Sequence, residues 1–268
     1  MNRECLKNDI DPFNLFEVLK MRYLDKKNNP YFMRTFGTCI FCGAQGYGKT
    51  LSAVQYVIKL MEKYPLAILV TNIAIANFPF NAKYKRVGDN TFIIHNNGEY
   101  INIDWLLDHN ERICIEYDGL DTLKYINNAE YGVIYLIDEL HLELNSLESK
   151  NIDIDVMTEI SQQRKQRKHI VGTSQIYMRL AKPLREQIHD IVICRCFFGC
   201  IQYNKWVDAE HIEETDKGLK VNAKGRFLFF HSPSMYSAYD TYAKMKRYNK
   251  EWQGRKRVDN LYYGGVNQ

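Results

Sequence analysis

Eight consecutive residues constrain this chain more than any others. Gly43-Ala44-Gln45-Gly46-Tyr47-Gly48-Lys49-Thr50 fit the pattern G-x-x-x-x-G-K-[ST] in full. They follow an apolar, partly β-branched run, Thr35–Cys42, that reads as a buried strand. They precede Lys49–Lys63, where Leu51, Val54, Tyr56, Val57, Leu60 and Met61 recur mainly at three- and four-residue spacing, as on a helix. Glycines let successive N–H groups turn inward around an anion with no Cβ in the way, and the helix that opens there aims its positive end at the same point. The stretch from Gly43 to Leu51 is therefore expected to cradle phosphates. Lys49 is expected to reach the β- and γ-phosphates of ATP, and Thr50 to ligate Mg²⁺.

A second motif completes the chemistry. Val133-Ile134-Tyr135-Leu136-Ile137 is a strand-length apolar run that ends in Asp138-Glu139. An acid at the carboxyl end of such a strand is placed to hold Mg²⁺, directly or through water. The glutamate beside it suits a general base acting on the attacking water. Further on, His169–Thr173 reads as a strand followed by Ser174 and Gln175. If it neighbours the Asp138 strand, Gln175 or Thr173 faces the γ-phosphate.

Strands are also expected at Leu66–Thr71, Thr91–His95, Arg112–Tyr117, Ile191–Phe198 and Arg226–His231. Helices are expected at Asp153–Arg167 and Tyr177–Gln187. Alternating strands and helices predict an α/β fold, a mostly parallel sheet with helices on both faces. The domain reading has three parts. Residues 1–34 form a helical extension, with Phe13, Phe16, Leu19 and Leu24 making an amphipathic helix after Asp11-Pro12. Residues 35–237 form the phosphate-binding core. Residues 238–268 form a basic, aromatic tail. The chain has seven cysteines, an odd number that argues against a closed disulfide framework. Cys194, Cys196 and Cys200 read as buried structural thiols, since their spacing fits no common zinc pattern. No apolar run reaches the roughly 18–20 residues a membrane span needs, so a cytoplasmic location is expected (host cytoplasm, if the protein is viral).

The phosphate loop, Leu136–Glu139, the segment Ile160–Arg167 and the strand ending Thr173-Ser174-Gln175 resemble, in this order, the FtsK/HerA class of P-loop motors. Within it they are most similar to the Zot-like branch, whose relatives include filamentous-phage assembly ATPases and viral genome-packaging ATPases. Leu184–Ile188 and Tyr239-Asp240-Thr241 add to the likeness, which covers about residues 35–245. The resemblance implies a RecA-like P-loop NTPase fold and a homo-oligomeric ring, pentamer or hexamer, that moves DNA with ATP. It also implies an arginine reaching into the neighbour's site, for which Arg164 and Arg167 match, with Arg185 a third choice. A capsid portal or vertex is the implied partner of a packaging motor. Zot-type assembly proteins carry a membrane span after the ATPase domain, and this sequence has none.

The residues alone make a modest case for nucleic acid. The chain's formal charge is +4, and Lys244, Lys246, Arg247, Lys250, Arg255, Lys256 and Arg257 are interleaved with Tyr242, Tyr248 and Trp252. Such a cluster suits sequence-independent contact with a DNA backbone, and equally a solvated tail. Lys205 and Trp206, on a hairpin expected after Phe198, are candidates for a track element. A protein-assembly or secretion ATPase and a DNA-transfer ATPase of a mobile element stay open as alternatives. A nucleotide kinase is disfavoured by Glu139, since phosphate transfer to a small molecule needs no water-activating acid.

Overall fold

The computed structural model describes residues 12–34, 37–146, 152–215 and 218–239. Helix α1 is Pro12–Asn28, strand β1 Thr38–Cys42, helix α2 Lys49–Lys63 and strand β2 Ile68–Thr71. Strands β3 (Ala82–Val87) and β4 (Asn90–His95) precede helix α3 (Ile103–His109), strand β5 (Cys114–Glu116) and helix α4 (Thr122–Tyr125). Strand β6 (Val133–Ile137), helix α5 (Ile154–Gln162), strand β7 (Lys168–Ser174) and helix α6 (Lys182–Arg185) follow. Strands β8 (Ile188–Phe197), β9 (Ile201–Thr215) and β10 (Gly218–Phe230) and helix α7 (Pro233–Ser237) complete the described chain.

Ten strands form one sheet in the order β10-β9-β8-β1-β7-β6-β2-β5-β3-β4. From β8 through β3 every neighbouring pair is parallel, while β9, β10 and β4 are antiparallel additions at the edges. The central strands β1, β2, β6 and β7 are buried at every position. That is why they read as continuous apolar runs rather than as alternation: a parallel strand covered on both faces has no wet side. Successive side chains nevertheless part to opposite faces. Phe41, Ile134 and Val171 pack with Val54, Val57 and Met61 of α2. Ile40, Tyr135 and Ile170 pack on the other face with Leu123 of α4, Val156 and Ile160 of α5 and Leu184 of α6.

The expected helix over Asp153–Arg167 is shorter than the pattern predicts. It stops at Gln162, because the fully buried Gln163 amide turns away to bond Thr38 and Arg167 takes a left-handed conformation at φ 52°. Tyr177–Gln187 is likewise no continuous helix: a 3₁₀ turn at Tyr177–Arg179 is followed by the short α6. Pro183 lacks the N–H that an interior turn requires and fits only in the first turn of a new helix. Helix α1 forms as expected, and its apolar residues are left without cover among the described residues. Leu15, Phe16, Val18, Leu19, Met21 and Leu24 are all exposed. The short strand expected at Arg226–His231 is the end of a far longer β10, and β3 and α3 were not read at all. In α3, Asn102 caps the helix by accepting from the Trp105 N–H at 2.7 Å. The tail cations from Lys244 to Arg257 lie outside the described residues.

One buried group makes the core sensitive to pH. His169 on β7 is fully buried, its Nδ1–H donating to Gly37 O at 2.6 Å and its Nε2 accepting from Tyr56 OH at 3.1 Å. Burial, the largest influence, lowers its pKa from the ordinary 6.5 to about 4. The unfolded chain therefore takes up a proton below pH 6.5 while the folded chain does not. Stability is lost as pH falls from 6.5 to 4 and the loss then levels off, by about 3 kcal/mol for this group. Denaturant unfolding at pH 7.5 and pH 5, for wild type and His169→Gln, should show a pH slope shallower in the variant; equal slopes would refute it.

Candidate nucleotide site

The loop after β1 lies at the carboxyl edge of the parallel strands, between β1 and α2. Gly46 and Gly48 hold φ 78° and 69°, in the left-handed region where a Cβ would strain the turn. The loop packs closely on β8: a Cβ on Gly43 would meet the Cys194 carbonyl oxygen at 2.8 Å. The Lys49 ammonium donates to Ala44 O at 3.2 Å, so it is folded back over the loop it belongs to. Leu51 is buried in α2, which leaves its backbone N–H as the part that can serve a phosphate.

The sheet order brings the distant motifs together. Strand β7 stands between β1 and β6, pairing Cys42 with Ser174 on one side and Ile137 with Gly172 on the other. The ends of three strands, with the glycine-rich loop, Asp138-Glu139 and Thr173, thus meet in one place. Thr50 Oγ1 donates to Asp138 Oδ1 at 2.9 Å across 88 positions of sequence. The Thr173 hydroxyl donates to the same carboxylate oxygen and accepts the Glu139 N–H at 2.8 Å. Asn72, just beyond β2, closes a two-point clamp on the other side. Its Nδ2 donates to Asp138 O at 3.1 Å, and its Oδ1 accepts the Asp138 N–H at 2.9 Å.

This clamp holds an unusual backbone. Glu139 sits at φ 55°, ψ 46°, a left-handed conformation that costs roughly 1–2 kcal/mol for a residue with a Cβ. The turn aims the chain out of β6 at once. Thiols behind the loop carry no charge that would oppose an anion. Burial raises the Cys42 pKa well above its usual value and that of Cys194 to about 12, the latter against the opposing influence of the Ser52 hydrogen bond and of Lys49. Tyr239 passes close by, bridged to Ile75. Its phenol is shifted upward chiefly by burial and next by the Asp138 carboxylate.

Other expected residues fall elsewhere. Gln175 is half-buried and accepts from Arg179 at 3.4 Å, so Thr173 rather than Gln175 is the strand-end residue on Asp138. Arg167 precedes β7, at the end of that strand away from the phosphate loop, where it donates to Met33 O at 2.7 Å and pairs with Glu130. Arg185 donates to Met178 Sδ, whereas Arg164 is exposed in the turn after α5. Trp206 does not project as a track element: its ring packs 5.5 Å from that of Tyr56, and Lys205 donates to Val221 O at 2.9 Å. Of the three cysteines read as buried, Cys194 is, while Cys196 is half-buried and Cys200 is exposed on the β8–β9 turn.

Three polar residues at the site were not singled out by the sequence reading: Asn72, Gln202 and Asn204. Gln202 and Asn204 are buried on β9, two positions apart and so on one face. Two amides alternating with Tyr203 and Lys205 were the available signal, and nothing local marked the loop as their partner.

No family model and no curated protein matches this sequence. Among solved structures the chain is similar to the N-terminal domain of zonular occludens toxin from Neisseria meningitidis. That match has 16% identity and a TM-score of 0.46, and covers 78% of this chain and 100% of that one. It is also similar to the genome packaging NTPase of Sulfolobus turreted icosahedral virus 2 in complex with ATPγS. Here identity is 11% and the TM-score 0.42, with 69% of this chain and 96% of that one covered. The order of the strands, with β7 standing between β1 and β6, gives this chain an α/β fold, a mostly parallel sheet in which the glycine-rich loop and the acid pair meet at one edge.

Proposed function

We propose that the chain binds ATP with Mg²⁺, hydrolyses it, and uses the cycle to move DNA. The observation that carries the hydrolytic part is the contact between Thr50 and Asp138, 2.9 Å apart, at the meeting of the phosphate loop and the acid strand. A hydroxyl and a carboxylate are hard oxygen donors of the kind Mg²⁺ takes beside substrate phosphates. Thr50 and Asp138 would hold the ion, which would supply charge neutralisation at the phosphates. The loop N–H groups and the N-terminus of α2 bind the phosphates, and Lys49 leaves Ala44 O to reach them. Glu139 accepts the proton of the attacking water as the bond from the γ-phosphorus to the bridging oxygen breaks.

The DNA part rests on the order of motifs through Thr173-Ser174-Gln175 and on Arg164, which is exposed in the turn after α5. In a ring of copies, pentamer or hexamer, Arg164 would complete the neighbour's site. The partner we favour is duplex DNA gripped by its backbone, with genome packaging at a capsid portal or vertex as the task. Among the described residues no helix is long and apolar enough to cross a membrane.

Phosphate release by the purified chain, with and without long double-stranded DNA, tests both parts. DNA is expected to stimulate hydrolysis, and the stimulation to fade from low to moderate salt, as a backbone grip requires. Hydrolysis indifferent to DNA would move the reading to protein assembly. No release from Mg–ATP under any condition would overturn the enzyme itself.

A further inference from the structure

A phosphate loop works only while its N–H groups face the anion. In a trans peptide the C=O and N–H point to opposite sides. Whatever holds the Tyr47 carbonyl outward therefore holds the Gly48 N–H inward. The side chain that does so comes from the far end of the molecule in sequence. Gln202 is fully buried on β9, and its Nε2 donates to Tyr47 O at 3.0 Å across 155 positions.

Strand register brings it there. Cys42, the last residue of β1, is level with Ile193 of β8, while Gln202 is level with Cys196. Three residues along a strand span about 10 Å, so Gln202 stands beyond the end of β1, beside the loop. The amide has one permitted orientation. Nε2 gives its two hydrogens to Tyr47 O and, at 2.9 Å, to Asn204 Oδ1, which also accepts from Ser52 Oγ of α2 at 3.3 Å. Turned over, Gln202 would set its oxygen against two acceptors. Its Oε1 is left to accept from His231 Nε2 at 3.2 Å, and His231 Nδ1 lies 2.6 Å from Tyr236 OH. The amide also packs against Gly48, where a Cβ would come within 2.0 Å of Gln202 Oε1.

We propose that Gln202 is a positioning residue for the nucleotide site: it fixes the 47–48 peptide with its N–H toward the phosphates and fastens the loop and α2 to the β9–β10 hairpin. This rests on the reading of the loop as a nucleotide site. The loop's shape is thus set partly by a strand outside the parallel core. Buried Gln202 on β9, half-buried His231 just after β10 and exposed Tyr236 of α7 thus form one hydrogen-bonded chain that ends on the Tyr47–Gly48 peptide.

The test uses two substitutions of similar size, with Mg–ADP binding by calorimetry, ATP kinetics and thermal unfolding. Gln202→Met removes the donor and keeps the volume. It is expected to weaken Mg–ADP binding and raise the KM for ATP about tenfold, equivalent to ~1.4 kcal/mol, while kcat changes little. Gln202→Glu presents a carboxylate to Tyr47 O and Asn204 Oδ1. Its loss is larger at neutral pH and shrinks as pH falls and the carboxyl regains an O–H donor, a recovery absent from wild type and from Gln202→Met. If Gln202→Glu does not fold, the Gln202→Met split between KM and kcat decides alone. Wild-type Mg–ADP affinity in Gln202→Met would overturn the role of Gln202 and leave the nucleotide site standing. A wild-type chain that binds no Mg–ADP would overturn both.

Discussion

Glu139→Gln is expected to leave Mg–ATP bound and to lower kcat by about 10²–10⁴-fold, the range that removal of a positioned general base costs. Glutamine keeps the length and the hydrogen-bonding shape of the side chain but cannot take a proton from water. The backbone is not at risk, because the left-handed turn at φ 55° is held from outside. Thr173 accepts the residue's N–H at 2.8 Å, and Asn72 grips both the N–H and the C=O of the preceding Asp138. Single-turnover hydrolysis and equilibrium binding of Mg–ATP separate the two quantities. A variant that loses binding along with turnover would mean that Glu139 builds the site rather than acting in it.

The second large effect is expected at Lys49. Its side chain is nearly buried at 9% exposure, and its ammonium is held by Ala44 O at 3.2 Å. That carbonyl keeps the charge beside the loop until a phosphate replaces it. Lys49→Ala should therefore reduce kcat/KM by on the order of 10³-fold, as loss of a charged donor to the transferring group does. On the proposed role of Lys49 at the γ-phosphate, it should also weaken Mg–ATP binding more than Mg–ADP binding. Lys49→Arg should not rescue, since a planar fork cannot replace a compact ammonium in a closed loop. Unchanged hydrolysis in Lys49→Ala would remove the active-site assignment altogether.

Legibility in the sequence tracked how local each feature is. Lys49–Lys63 was read with both ends right, because its apolar spacing and its glycine-rich start are properties of neighbouring residues. Asp138 and Glu139 were legible for the same reason: an acid pair ending an apolar strand is a pattern within seven residues. The segment after Gln162 was misread as helix because what ends it is the buried Gln163 amide bonded to Thr38, a residue 125 positions away. Helix α1 was expected and forms, and what its own residues could not tell is whether anything covers them: Leu15, Phe16 and Met21 are exposed among the described residues.

The sequence by itself determined the glycine-rich loop, its strand and helix, the acid pair at a strand end, and an α/β sheet with buried parallel strands. Each follows from steric freedom at glycine, from periodicity, or from charge at a strand end, all of which act over a few residues. Only the tertiary structure decided that β7 stands between β1 and β6, so that Thr173 rather than Gln175 meets Asp138. It also decided that Asn72 grips the acid turn and that Gln202 holds the Tyr47–Gly48 peptide. The physical reason is that a buried amide or hydroxyl must find a partner wherever strand order and register bring one within about 3 Å. No pattern along the chain records which partner that will be.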